Sequence, residues 1–221
     1  MPESPRRYRL LAFDWDGTLA DSTGLIAGAL QQTCREMGLD VPDDTRAKHV
    51  IGLGHHDSIR YLAPALDVRQ HAHFSARFGA HYMTGDASIP LFVGVHDMLC
   101  ELGARGFLLG IATGKSRRGL TRVLAQHGIA HHFAVSRCAD EGFPKPHPDM
   151  LLALMEQAGV AAEATLMIGD TTHDLQLARN AGVESLAVAY GAHPPHGLAQ
   201  MQPRATVHSI AELRAWLATH A

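Results

Sequence analysis

Cysteine is scarce in this chain of 221 residues: Cys34, Cys100 and Cys138 are odd in number, scattered, and without a CxxC pair. That usage argues against a disulfide framework and reads as buried free thiols in a reducing compartment. Charge of one sign is also lacking, because 19 Lys and Arg against 22 Asp and Glu leave a formal charge of −3. With a pI near 6.6, the chain has no basic excess for nucleic acid or a membrane surface, so neither is an expected partner. No apolar run approaches the roughly 20 residues of a membrane span. The opening Met1-Pro2-Glu3-Ser4-Pro5-Arg6-Arg7 carries basic residues but no apolar signal region. The cytosol is the expected location. Zinc-site spacing is missing too. The 16 histidines include His55-His56, His71/His73 and His131-His132, yet none has supporting Cys or Glu. They read as surface or satisfied histidines, whose charge will rise steeply as pH falls through their range.

What is present is a core. With 46% hydrophobic and 19% charged residues, the chain has the composition of a globular α/β domain with room for a modest insert. Leu10-Leu11-Ala12-Phe13 reads as a short buried strand. The stretch 22–88 then lacks a convincing strand. Leu25, Ile26, Ala29, Leu30, Thr33 and Met37 fall at helical spacing up to Gly38, and further helical pieces follow near 43–51, 56–63 and 68–84. From 92 onward helix and strand alternate. Strands are expected at 107–112, 133–135, 165–168 and, last, 185–189; helices at 94–105, 117–127, 148–158, 174–180 and 212–219. His193-Pro194-Pro195-His196-Gly197 reads as a loop. Strands separated by crossover helices imply a Rossmann-like three-layer parallel sheet, here with an inserted α-helical cap. The expected division is a core of 1–20 and 89–221 with a helical cap at 21–88.

In such a sheet ligands gather at the carboxyl ends of the strands, and those ends are polar here. The first closes on Asp14-Trp15-Asp16-Gly17-Thr18 and the second on Thr113-Gly114-Lys115-Ser116. Lys145-Pro146-His147-Pro148 follows the third, and Gly169-Asp170-Thr171-Thr172-His173-Asp174 closes the fourth. If the strand's period of two persists, Asp14 and Asp16 project to one side and Trp15 to the other. Such a carboxylate pair costs free energy unless a cation, a shared proton or a reaction uses it. Taken singly, each cluster has a plainer reading: Asp14 and Asp170 as cap and turn residues, Thr113 as an N-cap, Asp174 as first-turn charge, Lys145 as a surface lysine.

The DxDGT at Asp14, the hydroxyl Thr113, Lys145 and the GDxxxD from Gly169 to Asp174, in this order, resemble the motifs of the haloacid dehalogenase-like hydrolase superfamily. The likeness runs the whole chain, and the insert is similar to the helical cap of the phosphoglycolate-phosphatase-like branch. It implies that Asp14 is a nucleophile forming an aspartyl-phosphate. It also implies a Mg²⁺ held by Asp14, the Asp16 backbone carbonyl and Asp170, with Asp174 supporting through water or hydrogen bonds. Asp16 would give a proton to the leaving alkoxide and later take one from water. Thr113, the Gly114 N–H and Lys145 would bind the phosphate.

The implied activity is Mg²⁺-dependent hydrolysis of a small phosphorylated metabolite, with phosphoglycolate, a sugar phosphate or a nucleoside monophosphate as candidates. Asp16 argues against dehalogenation, which needs no acid for an alkoxide. Alternatives are a phosphomutase of the β-phosphoglucomutase type, which shares all four motifs, and a non-catalytic regulator on the same scaffold. Thr113-Gly114-Lys115-Ser116 contains a GK[ST] triplet, but Leu109 stands where a P-loop needs glycine. Lys115 or Arg117 either faces the site mouth or is surface charge. Gly52-Leu53-Gly54-His55-His56 is either a substrate-facing cap loop or a plain turn, with Gly52, His55, His56 and Lys115 the candidates for substrate specificity.

Overall fold

The computed structural model describes residues 7–221, the side chain of Ala87 excepted. The opening segment read above for a signal region therefore lies, at 1–6, outside the described residues. Strand β1 (Leu10–Phe13) leads into four helices, α1 (Thr23–Glu36), α2 (Asp44–His49), α3 (His55–Leu62) and α4 (His71–Gly85). Helix and strand then alternate: α5 (Val95–Ala104), β2 (Leu108–Thr113), α6 (Arg117–His127), β3 (Phe133–Cys138), α7 (Asp149–Ala158), β4 (Thr165–Gly169), α8 (Thr172–Asn180), β5 (Glu184–Val188), α9 (Pro195–Gln200), β6 (Thr206–Val207) and α10 (Ile210–His220).

The six strands make one parallel sheet in the order β3-β2-β1-β4-β5-β6. β1 sits between β2 and β4, with Phe13 beside both Ile111 and Ile168. Its side chains alternate between two buried layers. Leu11 and Phe13 join Ile111, Ile168, Leu99 and Leu213 on one face; Leu10 and Ala12 join Met167, Leu151, Leu154 and Leu177 on the other. Burial on both faces explains the unbroken apolar runs of β1, β2 and β4. Each fully buried Leu there contributes roughly 1.5–3 kcal/mol. The chain leaves β1 toward β2 and β3 on one side and returns to β4 on the other, and that reversal opens a crevice at the carboxyl end of β1.

The four inserted helices bury a small core of their own around Leu30, Val50, Ile59, Leu62 and Phe74. Where the chain leaves and re-enters the sheet region, Asp21 N donates to the Pro90 carbonyl and Phe92 N to the Leu19 carbonyl, both at 3.0 Å.

The structure differs from the sequence expectations at the edges of the sheet. Residues 185–189 do not hold the last strand, because β6 follows at Thr206–Val207. The loop read at His193–Gly197 ends at Pro195, which opens α9; proline's missing N–H and fixed φ suit the first helical position. β3 runs on to Cys138 rather than stopping at Val135, since polar Ser136 and Arg137 are acceptable on an edge strand. No helix among the described residues is long and apolar enough to cross a membrane.

Candidate active site

Asp14 is the first residue past β1, and its N–H still donates to the Ile168 carbonyl at 2.9 Å, so the sheet ladder fixes its backbone. The carboxylate is 1% exposed. Trp15 points away from it into the core layer of Leu11 and Phe13, as the alternation requires. Gly17 then turns the chain with a φ of +86°, a conformation open to glycine. The same turn brings Thr18 Oγ1 within 2.8 Å of Asp170 Oδ1 as a donor.

Lys145 is the hub. It is wholly buried, and its Nζ donates to Asp14 Oδ1 and to Asp174 Oδ1, each at 2.6 Å. Asn180 Nδ2, donating to the Pro146 carbonyl at 2.8 Å, pins the lysine's loop to α8. Asp174 is locked from the other side, because Thr171 N and Oγ1 donate to its Oδ2 at 3.0 and 2.7 Å. This is the capping box of α8, so Asp174 serves both as helix cap and as partner of Lys145.

Asp170 accepts from Thr18 on one oxygen and from Ala192 N on the other, at 2.7 Å. A Cβ on Gly17 or on Gly191 would overlap its carboxylate, so two glycines form its cradle. Asp14, Asp170 and Asp174 bring one oxygen each within 4.8 Å of one another, yet the single ammonium among them bonds only Asp14 and Asp174. The electrostatics register that shortfall. Burial, with Asp174 and Asp16 adding to it, outweighs Lys145 and pushes Asp14 up to about 7. Burial and the neighbouring Asp14 and Asp174 raise Asp170 well above the ordinary carboxylate range. Burial would raise Asp174 also, but Lys145 and Thr171 hold it below its ordinary value.

A divalent cation fits this set. Asp14 Oδ2 is buried without a hydrogen-bond partner, the donors are all hard oxygens, and about two negative charges remain uncompensated. Asp14 keeps one oxygen without a partner and Asp170 accepts two hydrogen bonds, whereas Asp174 already accepts three, from Lys145 and Thr171.

Asp16 lies beside this trio and has separate partners. Ser22 Oγ donates to its Oδ1 at 2.6 Å, and Lys115 Nζ stands 3.0 Å from the same oxygen. Lys115 also donates to the Tyr82 hydroxyl at 2.8 Å, linking the end of β2 to α4 of the insert. Of the two basic candidates at the mouth, Lys115 therefore faces the site. Arg117 is held by Glu141 at 2.8 and 2.7 Å and by Ser136. Thr113 is fully buried, and its Oγ1 accepts from Lys115 N at 3.2 Å, which leaves its hydroxyl proton free to donate.

The segment read as a loop at Gly52–His56 lies over these groups, but only Gly52–Gly54 is loop, since His55 and His56 form the first turn of α3 with Gly54 at its N-cap. Gly52, with φ +90°, lets the backbone approach so closely that a Cβ on Gly114 would stand 3.1 Å from the Gly52 carbonyl oxygen. His55 lines a cavity of about 280 Å³ that reaches from Asp16 and Lys115 into the insert. His55 and His56 both line an adjoining recess with Asp140 and Pro144, and the Nδ1 of His56 lies 3.2 Å from that of His71. A second tie joins insert and core. His173 Nε2 and His193 Nε2 lie 2.7 and 3.1 Å from the His49 carbonyl oxygen. Burial pushes His193 down to about 4, so its ring is neutral, accepting from Thr172 N at Nδ1 and donating at Nε2.

Sequence reasoning missed Ser22, Thr18, Tyr82, Gly191 and Ala192. Thr18 stands inside the first motif and Ser22 four residues after it, so their positions were visible but their partners were not. Tyr82 and Gly191 carry no local signal.

The comparisons with known proteins agree with this geometry. Residues 11–188 match the family model of the haloacid dehalogenase-like hydrolases. A phosphoglycolate phosphatase from Vibrio cholerae is 33% identical over 208 residues, 90% of this chain and 92% of that protein. A haloacid dehalogenase-like family hydrolase from Streptococcus pneumoniae superposes with a TM-score of 0.81 at 27% identity, covering 95% of this chain and 98% of that one. The fold is shared also with a hydrolase from Pseudomonas syringae, at a TM-score of 0.87, 20% identity, and 97% and 98% coverage. The chain belongs to the haloacid dehalogenase-like hydrolase family, on its phosphoglycolate-phosphatase-like branch.

Proposed function

We propose that this phosphatase hydrolyses a small phosphate monoester with Mg²⁺ and through a phosphoryl group carried on Asp14. The observation that carries the reading is Lys145 bridging Asp14 and Asp174 at 2.6 Å inside a buried carboxylate trio with charge to spare for a cation. Asp14 and Asp170, with the Asp16 backbone carbonyl, would hold the ion, and Asp174 would support it through Lys145 and Thr171. A bound Mg²⁺ supplies Lewis acidity and charge neutralisation at the phosphoryl oxygens.

The rest is chemistry of the chain. Asp14 attacks phosphorus, forming the acyl-phosphate bond while the ester P–O bond breaks, and Asp16 delivers a proton to the departing alkoxide. Water then gives a proton to Asp16 and its oxygen to phosphorus, releasing phosphate and restoring Asp14. Lys145 holds Asp14 in orientation through both steps and offsets charge. The Thr113 hydroxyl and the Gly114 N–H donate to the phosphoryl oxygens. In this scheme residues 21–88 act as a cap over a core of 1–20 and 89–221, with the Gly52–Gly54 loop and Lys115 at the junction. Cys34 and Cys138 are buried free thiols as expected, whereas Cys100 is exposed, on the outer side of α5; the free state of the three supports a reducing, cytosolic setting.

The test is Asp14→Asn, assayed on p-nitrophenyl phosphate with Mg²⁺. Loss of phosphate release by about 10⁴-fold or more, with the circular dichroism spectrum unchanged, supports the reading; retained turnover overturns it.

A further inference from the structure

Three metal-ligating side chains meet at the opposite end of the sheet from the active site. His96 and Cys100 stand four residues apart on α5, a spacing that puts them on one face of the helix, one turn apart. His132 ends the 3₁₀ turn Ala130–His132 and immediately precedes β3. The group therefore lies by the amino end of β3, whereas Asp14 and its partners lie at the carboxyl ends of the parallel strands.

Cys100 Sγ stands 3.8 Å from His96 Nδ1 and 3.8 Å from His132 Nε2. One ligand atom from each residue falls within 4.8 Å of the other two. The core fixes these positions from beneath. Val95 and Leu99 beside the helical pair, and Ile129 and Phe133 flanking the turn, all join the layer under α5. His132 N also donates to the Ile129 carbonyl at 3.1 Å. His96 and Cys100 are exposed and His132 is half-buried, so an ion has access and keeps room for a water. Burial, with His131 and His96 adding to it, holds His132 below its ordinary value. Its ring is neutral at pH 7 and has a lone pair to give.

Hydrogen bonding alone does not account for the arrangement. A thiol has one proton and a weakly accepting sulfur, so it cannot donate to both rings. A tetrahedral ion accounts for both distances: with Zn–S about 2.3 Å and Zn–N about 2.0–2.1 Å, sulfur and nitrogen on one ion stand about 3.6 Å apart. One thiolate and two imidazoles are borderline-soft donors that suit zinc, whereas Mg²⁺ takes oxygen ligands. No cysteine accompanies His131-His132 in the chain; folding brings Cys100 to His132 across 32 positions.

We propose that His96, Cys100 and His132 form a zinc-class metal site with water in the fourth position, separate from the carboxylate trio. On binding, the metal–thiolate bond replaces the S–H bond of Cys100 and the proton passes to solvent. The ion then clips α5 to the start of β3.

The test titrates the full-length protein, in saturating Mg²⁺ and a phosphine reductant, with Co²⁺ as the spectroscopic substitute for Zn²⁺. Wild type is expected to develop a thiolate-to-cobalt charge-transfer band in the near ultraviolet, saturating at one ion per chain and bleached by Zn²⁺. Cys100→Ser should lack the band and, in competition with a chromophoric chelator, bind Zn²⁺ at least about 100-fold more weakly, beyond the 10–100-fold typical when only a ligand's support is lost. His132→Gln should weaken Zn²⁺ by about tenfold or more. At a hundredfold excess over its dissociation constant, Zn²⁺ should raise the wild-type melting temperature by about 5–10 °C, and Cys100→Ser should lose that rise. A wild type that shows no such band overturns the proposal whatever the variants do, and so does Zn²⁺ affinity left unchanged in both variants.

Discussion

Ser22 stands at the N-cap position of α1, yet its hydroxyl donates to Asp16 Oδ1 at 2.6 Å and caps no backbone N–H of the helix. The helix gives up a contact worth about 1 kcal/mol, and the gain goes to the orientation of the proposed proton carrier. Asp16→Asn is expected to slow alkyl phosphates by about 10²–10⁴-fold and p-nitrophenyl phosphate much less, because a good leaving group needs little protonation. Ser22→Ala should reproduce that pattern more weakly, near tenfold on alkyl esters. Steady-state kinetics on the two ester classes checks both variants, and equal losses on both would remove Asp16 from the acid role.

Gly191 is spatially committed to Asp170. A Cβ there would overlap the carboxylate, although the residue lies 21 positions further along the chain and bonds no ligand. Gly191→Ala should displace Asp170 and weaken Mg²⁺ binding by about tenfold or more, in the range seen when the supports of metal ligands are disturbed. Titration of Mg²⁺ against melting temperature reads this without recourse to activity, and an unchanged midpoint would contradict it.

The charge imbalance of the trio would make the proposed Mg²⁺ binding pH-dependent with a definite sign. Asp14, pushed by burial up to about 7, lies above an unfolded value near 3.9. Between those values the folded metal-free protein binds more protons than the unfolded one, so that stability falls as pH rises through 7. Mg²⁺ requires the carboxylates ionised, and both Asp14 and Asp170 are raised above their ordinary values, so protons compete with it more strongly as pH falls. The rise in melting temperature on adding Mg²⁺ should therefore be greater at pH 8 than at pH 5.5. At 100 times the dissociation constant the gain is about 2.7 kcal/mol, or roughly 5–10 °C for a domain of this size. Buried neutral histidines such as His193 act in the opposite sense, but each is present with and without metal and cancels in the difference. A larger shift at pH 5.5 would be contrary to this picture. EDTA should abolish turnover, and Mg²⁺ should restore it.

The sheet core and the clustering of most candidate site residues were legible because both announce themselves locally. β1, β2 and β4 are buried on two faces and so read as uninterrupted apolar runs, and the polar residues that end them are adjacent in sequence. β6 escaped because two residues, Thr206–Val207, make no run, and α9 because Pro194-Pro195 signals a loop as readily as a helix start. The contact of Lys115 with Tyr82, 33 positions apart, and the packing of Gly191 on Asp170 depend on how insert and core meet. Periodicity within either segment does not report such encounters. The apolar wall of the cavity was hidden for another reason. Leu30, Ile59 and Phe74 carry the helical spacing of any core face, and only their assembly around an unfilled space distinguishes them.

The central claim, that Asp14 carries the phosphoryl group, is tested most directly by trapping it. The Mg²⁺-loaded protein is mixed with substrate, quenched in borohydride, digested and mapped by mass spectrometry. An acyl phosphate at Asp14 is reduced to homoserine, so the expected result is homoserine at position 14 and at no other acidic residue, absent when substrate is omitted. Full turnover with an unmodified Asp14, or reduction at a different carboxylate, would contradict the claim.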